Sequence, residues 1–103
     1  MPRIIVTNRA DEDFLRLKRF LNAKSPDAAK RMSDTIASAI ASLKSSPYLG
    51  SPFGRHRRLI VDFGRSKYVV VYHFNKEVDE IYILAMRHGR EEPTHPEHGL
   101  NDH

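Results

Sequence analysis

The run Tyr68-Val69-Val70-Val71-Tyr72-His73-Phe74 constrains the fold more than any other stretch of the chain. At strand period it places Tyr68, Val70, Tyr72 and Phe74 on one face and Val69, Val71 and His73 on the other, so both faces are largely apolar. Such a strand needs neighbours on both edges and a layer over at least one face. Two further strand-period runs flank it, Arg57 to Val61 and Glu80 to Met86. The breaks between them, residues 62–66 and 75–79, are polar and suit hairpins. Three sequential antiparallel strands are therefore expected, with Tyr68–Phe74 in the middle.

The first half of the chain supplies the cover. Ile4-Ile5-Val6-Thr7 is short and β-branched and predicts a first, well buried strand joining an edge of the sheet. Asn8 is the expected cap of a first helix, with Asp11, Glu12 and Asp13 favouring its N-terminal turn; Ala10, Phe14, Leu17 and Leu21 form its apolar stripe. That helix should end at residues 22–24. Ser25-Pro26 then caps and opens a second, longer helix, with Ala29, Met32, Ile36, Ile40 and Leu43 at helical spacing. Ser45-Ser46-Pro47 stops it, and residues 48–54, with two prolines and two glycines when Pro47 is included, read as a loop pinned to the core by Tyr48, Leu49 and Phe53. The order β-α-α-β-β-β implies a small α+β domain, a helical hairpin packed against a largely antiparallel sheet. Residues 1–90 form the expected domain. Residues 91–103, with one bulky aliphatic and no periodicity, read as a flexible acidic tail.

Composition narrows the chemistry. The 103 residues are 40% hydrophobic and 29% charged, ordinary values for one globular core. There is no cysteine, which removes disulfides, thiolate metal sites and thiol catalysis and points to the cytoplasm. Apolar stretches reach only five or six residues against the roughly 20 that cross a bilayer, so no membrane association is expected. The net charge of +4 hides an asymmetry: residues 1–90 carry +8 and the remainder −4. A body with that surplus attracts a polyanion or an acidic protein. Walker-type, GxGxxG, HExxH and GxSxG motifs are all missing, so nucleotide and serine-hydrolase chemistry lose their usual signatures, and no cofactor is expected. His95, His98 and His103 with Glu97 offer at most a weak metal site, because ordering them costs entropy and no further groups orient them; no functional metal is expected.

The candidate functional residues are basic. Arg55, His56, Arg57 and Arg58 enter a strand, Arg65 and Lys67 follow in a turn, and Arg87, His88 and Arg90 leave the last strand. If antiparallel pairing gathers them, the guanidinium forks can grip phosphate or carboxylate and His88 can carry a proton near neutral pH. Strand alternation allows only one of Arg87 and His88 on a given face, and groups Arg87 with Ile81, Ile83 and Ala85. The plainer role of His88 is a hydrogen bond at the strand end, that of Arg57 and Arg58 edge-strand protection. Tyr68, Tyr72 and Tyr82 are expected in the core or its rim and not as a platform for stacking bases.

Several segments in order resemble the ParE/RelE superfamily of bacterial type II toxins, and its ParE branch most closely. They are Ala10 with Asp13-Phe14-Leu15, Pro26-Asp27-Ala28-Ala29-Lys30-Arg31, Ile36 to Ala41, Pro47-Tyr48-Leu49-Gly50, Arg57 to Val61, Tyr68 to Tyr72 and Ile81 to Arg90. The resemblance implies a toxin neutralised by a cognate ParD/RelB-like antitoxin, whose disordered segment folds on binding as a helix or strand over the toxin. ParE-type members act on DNA gyrase, and this implies gyrase as target, with Arg57, Arg58, Arg87, His88 and Arg90 as binding residues and no covalent reaction. RelE-type members are ribosome-dependent mRNA endonucleases; on that alternative Arg57, Arg65 and Arg87 grip phosphate, His88 handles a proton, and the ribosome and mRNA are the partners. Here Gly89 and Arg90 follow His88 where the nuclease pattern has a tyrosine, and Glu91 stands where ParE sequences often have a second arginine. A third alternative is an antitoxin-binding protein of the same fold without toxicity.

Overall fold

The computed structural model describes residues 1–91. Its elements are β1 (Arg3–Val6), α1 (Asn8–Asn22), α2 (Pro26–Ser42), β2 (Ser51–Phe53), β3 (His56–Phe63), β4 (Ser66–Asn75), β5 (Glu80–His88) and a 3-10 turn at Gly89–Glu91. One sheet holds all the strands in the order β1-β5-β4-β3-β2. Among the described residues only the β1–β5 pair is parallel. The expected α+β architecture is thus observed, with the Tyr68–Phe74 run at the sheet's centre.

The two faces of β4 have different surroundings. Tyr68, Val70 and Tyr72 pack with Leu17 of α1, Met32 and Ile36 of α2, and Leu43 in the main core. Val69 and Val71 point the other way, into a smaller cluster with Phe53 and Ala85. Among the described residues no helix covers that second face, so it is the open face of the sheet. Tyr68 and Tyr72 are buried as expected; Tyr82 is half-buried and donates its hydroxyl to Glu80.

Both helix starts follow from hydroxyl caps, although one is displaced from its expected residue. Thr7, not Asn8, caps α1: it is extended, at φ −70° and ψ 160°, and its Oγ1 accepts from Ala10 N–H at 3.2 Å. The same hydroxyl donates to the Ile83 carbonyl at 2.8 Å, so the cap also joins the helix to β5. A side chain that must satisfy both groups fixes the boundary one residue earlier. Ser25 caps α2 as expected, accepting from Ala28 N–H at 3.1 Å, and Pro26 opens the helix.

Further expectations are corrected. β1 occupies an edge as predicted but is only half-buried, because among the described residues no strand neighbours its outer side and Val6 faces solvent. The segment read wholly as loop contains β2, which pairs antiparallel with β3 through Ser51↔Arg58 and Phe53↔His56. Pro52 is compatible with that because β2 lies at the sheet edge, where a missing N–H costs no ladder bond. β3 is therefore not an edge over this stretch, and Arg57 and Arg58 do not protect one. Of the three expected anchors Phe53 is buried, and Tyr48, though 58% exposed, meets the Phe74 ring edge-on at 5.4 Å; Leu49, 55% exposed, does not pin the loop. Gly50 adds a hydrogen-bonded anchor. Its N–H donates to the Tyr72 hydroxyl at 2.9 Å, its carbonyl accepts from Arg57 Nε at 3.0 Å, and the Tyr72 hydroxyl donates onward to the Pro47 carbonyl at 2.8 Å.

Candidate functional site

An irregularity in β5 decides where its basic end points. Opposite β4, Val71 pairs with Ala85 while Tyr72 pairs with Ile83, so Leu84 is an extra residue in the ladder. A bulge of this kind reverses the alternation. Ile81 and Ile83 face the helices before it, and Met86 faces them after it. Arg87 consequently lies opposite Val69 on the open face, and His88 opposite Tyr68 on the helix side. Strict alternation groups Arg87 with Ile81 and Ile83; the bulge separates them. The two residues still occupy opposite faces, as neighbours on one strand must.

The candidate residues divide accordingly. Arg58, opposite Val71, shares the open face with Arg87 and lies with its guanidinium 4.9 Å from the Phe53 ring centroid. Arg57, one residue earlier, turns to the helix side, where its guanidinium donates to the Gly50 and Tyr48 carbonyls and sits 5.2 Å from the Tyr48 ring. Its cation holds the loop. Arg65 is exposed in the β3–β4 hairpin turn. Lys67 donates to Asp62 at 2.6 Å across the same hairpin. His88 packs edge-on to Tyr68, with centroids 5.2 Å apart, and its Nδ1 accepts from Arg90 N–H at 3.1 Å. That bond places the proton of the neutral ring on Nε2. His88 and Arg90 line a groove of about 550 Å³ between the C-terminal half of α1 and the adjoining ends of β4 and β5.

The open face also carries a histidine pair that reading the strands singly does not find. The β3–β4 register pairs Arg57 with Tyr72, so His56 and His73 are neighbours across the next rung, and their rings meet edge-on at 5.8 Å. Burial, helped by the nearby His73 and Arg55, holds the His56 pKa below its ordinary 6.5, so this ring is neutral at pH 7. Its Nδ1 is buried with no hydrogen-bond partner among the described residues. The signal for this pairing lies in the turn. The hairpin closes through Gly64 and Arg65 alone, with Gly64 at φ 59°, as the first position of a two-residue type II′ turn requires. A five-residue break at 62–66 leaves the register undetermined, whereas a two-residue turn fixes it.

Among the described residues no group of three or more His, Asp or Glu side chains is placed to hold a metal ion. His95, His98, His103 and Glu97 lie outside the described residues. Among the described residues no helix is long and apolar enough to cross a membrane. What the geometry offers is an open sheet face bearing Arg58, Arg87 and two imidazoles over an apolar floor, and a separate basic groove beneath α1. Both suit anionic or mixed polar surfaces of a macromolecule.

A five-stranded sheet with a parallel first strand at its edge, backed by a helical hairpin and ending in a basic strand, is the architecture of the ParE/RelE toxin superfamily, and the chain belongs to that superfamily. The family described as ParE toxin of type II toxin-antitoxin system, parDE, matches residues 4–93. The chain is similar to Toxin RelE1 of Caulobacter vibrioides, with 31% identity over 90 residues that cover 86% of this chain and 95% of the relative. It is also similar to Toxin RelE3 of the same organism, at 34% identity over 92 residues covering 88% and 98%. The protein is thus a toxin of a toxin-antitoxin system, and a cognate antitoxin is its implied partner.

Proposed function

We propose that this toxin poisons DNA gyrase by binding it, without a covalent reaction of its own, and acts in the cytoplasm under control of a ParD/RelB-like antitoxin. The observation that carries this reading is the divergence of Arg87 and His88. A metal-free ribonuclease needs a cation and a proton carrier at one phosphate, and these two side chains leave β5 on opposite faces of the sheet. The match to the ParE family over residues 4–93 supports the same target. Arg58 and Arg87 make the gyrase contact on the open face, and His88 and Arg90 extend it around the sheet's end. Arg57 acts indirectly, by fixing the loop beside them. For the antitoxin, a 430 Å³ groove between β1, α1 and α2, floored by Ile4, Phe14, Ile36 and Ile40, lies beside the open edge of β1 and suits an amphipathic helix or an added strand.

A ribosome-dependent mRNA endonuclease is the second reading. It is favoured by the His56–His73 pair, which puts two imidazoles on the face that also holds Arg58 and Arg87, and by the RelE names of the two relatives. Pulse labelling within minutes of inducing the toxin without antitoxin separates the two. DNA synthesis falls first if gyrase is the target, and purified gyrase then loses supercoiling activity on addition of the protein. An early fall in protein synthesis overturns the gyrase reading, and no fall in either leaves a binding protein that is not toxic.

A further inference from the structure

We propose that the acidic C-terminal segment of this chain binds back onto the basic groove beneath α1. The groove, about 550 Å³, is lined by Arg16 from α1 and Lys24 two residues beyond its end, by Ser66 and Tyr68 from β4, by His88 at the end of β5 and by Arg90 in the turn that follows, with no acidic side chain among its described lining residues. Its floor is apolar and aromatic, and at its lip Phe20 is 66% exposed under the Lys24 ammonium, which sits 4.5 Å from the ring centroid. A groove of this size accepts a short peptide segment, not a lone ion.

The occupant follows from chain connectivity and charge. Arg90 is itself a lining residue, so the chain leaves the described domain at the groove's rim. The residues that follow, Glu91 to His103, contain four carboxylates, no Lys or Arg, and one bulky aliphatic, Leu100. Extended, residues 92–103 reach about 40 Å, ample to bring Glu97 and Asp102 against Arg16 and Lys24. Tethering keeps the segment at high effective concentration beside the groove, so individually weak charge contacts suffice to hold it there. The segment then acts as an internal competitor: any acidic partner seeking Arg90 and Lys24 must displace it. This inference does not depend on whether gyrase or the ribosome is the target.

The absence of cysteine allows a direct test in the full chain. A nitroxide placed at Asn101→Cys is expected to lower the amide NMR signals of Phe20, Lys24 and Ser66 by about twofold or more, and the signals recover at about 0.5 M salt, where charges are screened beyond a few ångströms. They also recover when Glu91, Glu92, Glu97 and Asp102 are replaced together by Gln, Gln, Gln and Asn. Broadening limited to residues 88–90, broadening that persists in the neutralised chain, or broadening that passes from labelled molecules to unlabelled ones in a mixed sample each overturns the proposal.

Discussion

The Asp13 carboxylate accepts the backbone N–H of Met86 at 3.0 Å, tying α1 to β5 two residues beyond the bulge at Leu84. From the sequence Asp13 reads as one of three acids favouring the start of α1. In the fold it serves a backbone group of the strand that bears Arg87 and His88, next to the point where the alternation of β5 reverses. Replacing Asp13 with Ala is expected to cost about 1–3 kcal/mol, because Met86 N–H loses its acceptor in a partly buried place, whereas Asn, which keeps a carbonyl oxygen, costs less. Urea unfolding of the two variants checks this; equal losses contradict it.

The Tyr72–Gly50 contact gives a second expectation. Tyr72 is fully buried and its hydroxyl joins Gly50 N–H to the Pro47 carbonyl. Tyr72→Phe strands both groups and should destabilise by about 1–3 kcal/mol. Gly50→Ala should be at least as harmful, since an added Cβ comes within 2.6 Å of the Arg58 carbonyl oxygen and 2.9 Å of the Tyr72 ring. Thermal melts that leave either variant at the parent midpoint reject this account of the loop.

The histidine pair predicts a pH dependence. Burial lowers the His56 pKa in the folded protein below the ordinary 6.5, with His73 and Arg55 adding to the effect, so the unfolded chain binds this proton more readily than the folded one. Stability is therefore full above 6.5 and declines as pH falls through that value toward the folded pKa. His56→Gln should flatten this part of the stability profile. NMR titration should place the His56 midpoint below 6.5, and a midpoint above it reverses the sign.

On the proposed gyrase reading, Arg58→Ala combined with Arg87→Ala should weaken inhibition of purified gyrase by about tenfold or more, equivalent to about 1.4 kcal/mol of binding. His88→Gln should weaken it less, because that ring faces the groove and not the open face. Arg57→Ala should lower stability together with activity, since its guanidinium holds the Gly50 and Tyr48 carbonyls. If His56→Gln or His73→Gln instead removes an early arrest of protein synthesis, the endonuclease reading is correct.

Much of the architecture was legible from local signals. The two-sided apolar run of β4, the helical stripes of α1 and α2, and Ser25-Pro26 each have a single physical solution, and the structure adopts it. The Thr7 cap is not legible locally because its second bond goes to Ile83, which is remote in sequence. Nor is β2, because three residues containing a proline carry no period of their own and gain strand form only from pairing with β3. The candidate site was legible in its residue types but not in its grouping. Arg57 and Arg58 are adjacent in sequence, yet one holds a loop and the other lies on the open face.

Sequence alone determined the fold class, the charge asymmetry and the inventory of basic residues, because periodicity and composition are local properties of the chain. Only the tertiary structure decided which of those residues share a surface. That choice depends on strand register and on the extra residue at Leu84, which turns Arg87 to the open face and His88 beneath α1. Register is set by the two-residue turn at Gly64 and by packing against the helices, neither of which is a property of a single strand.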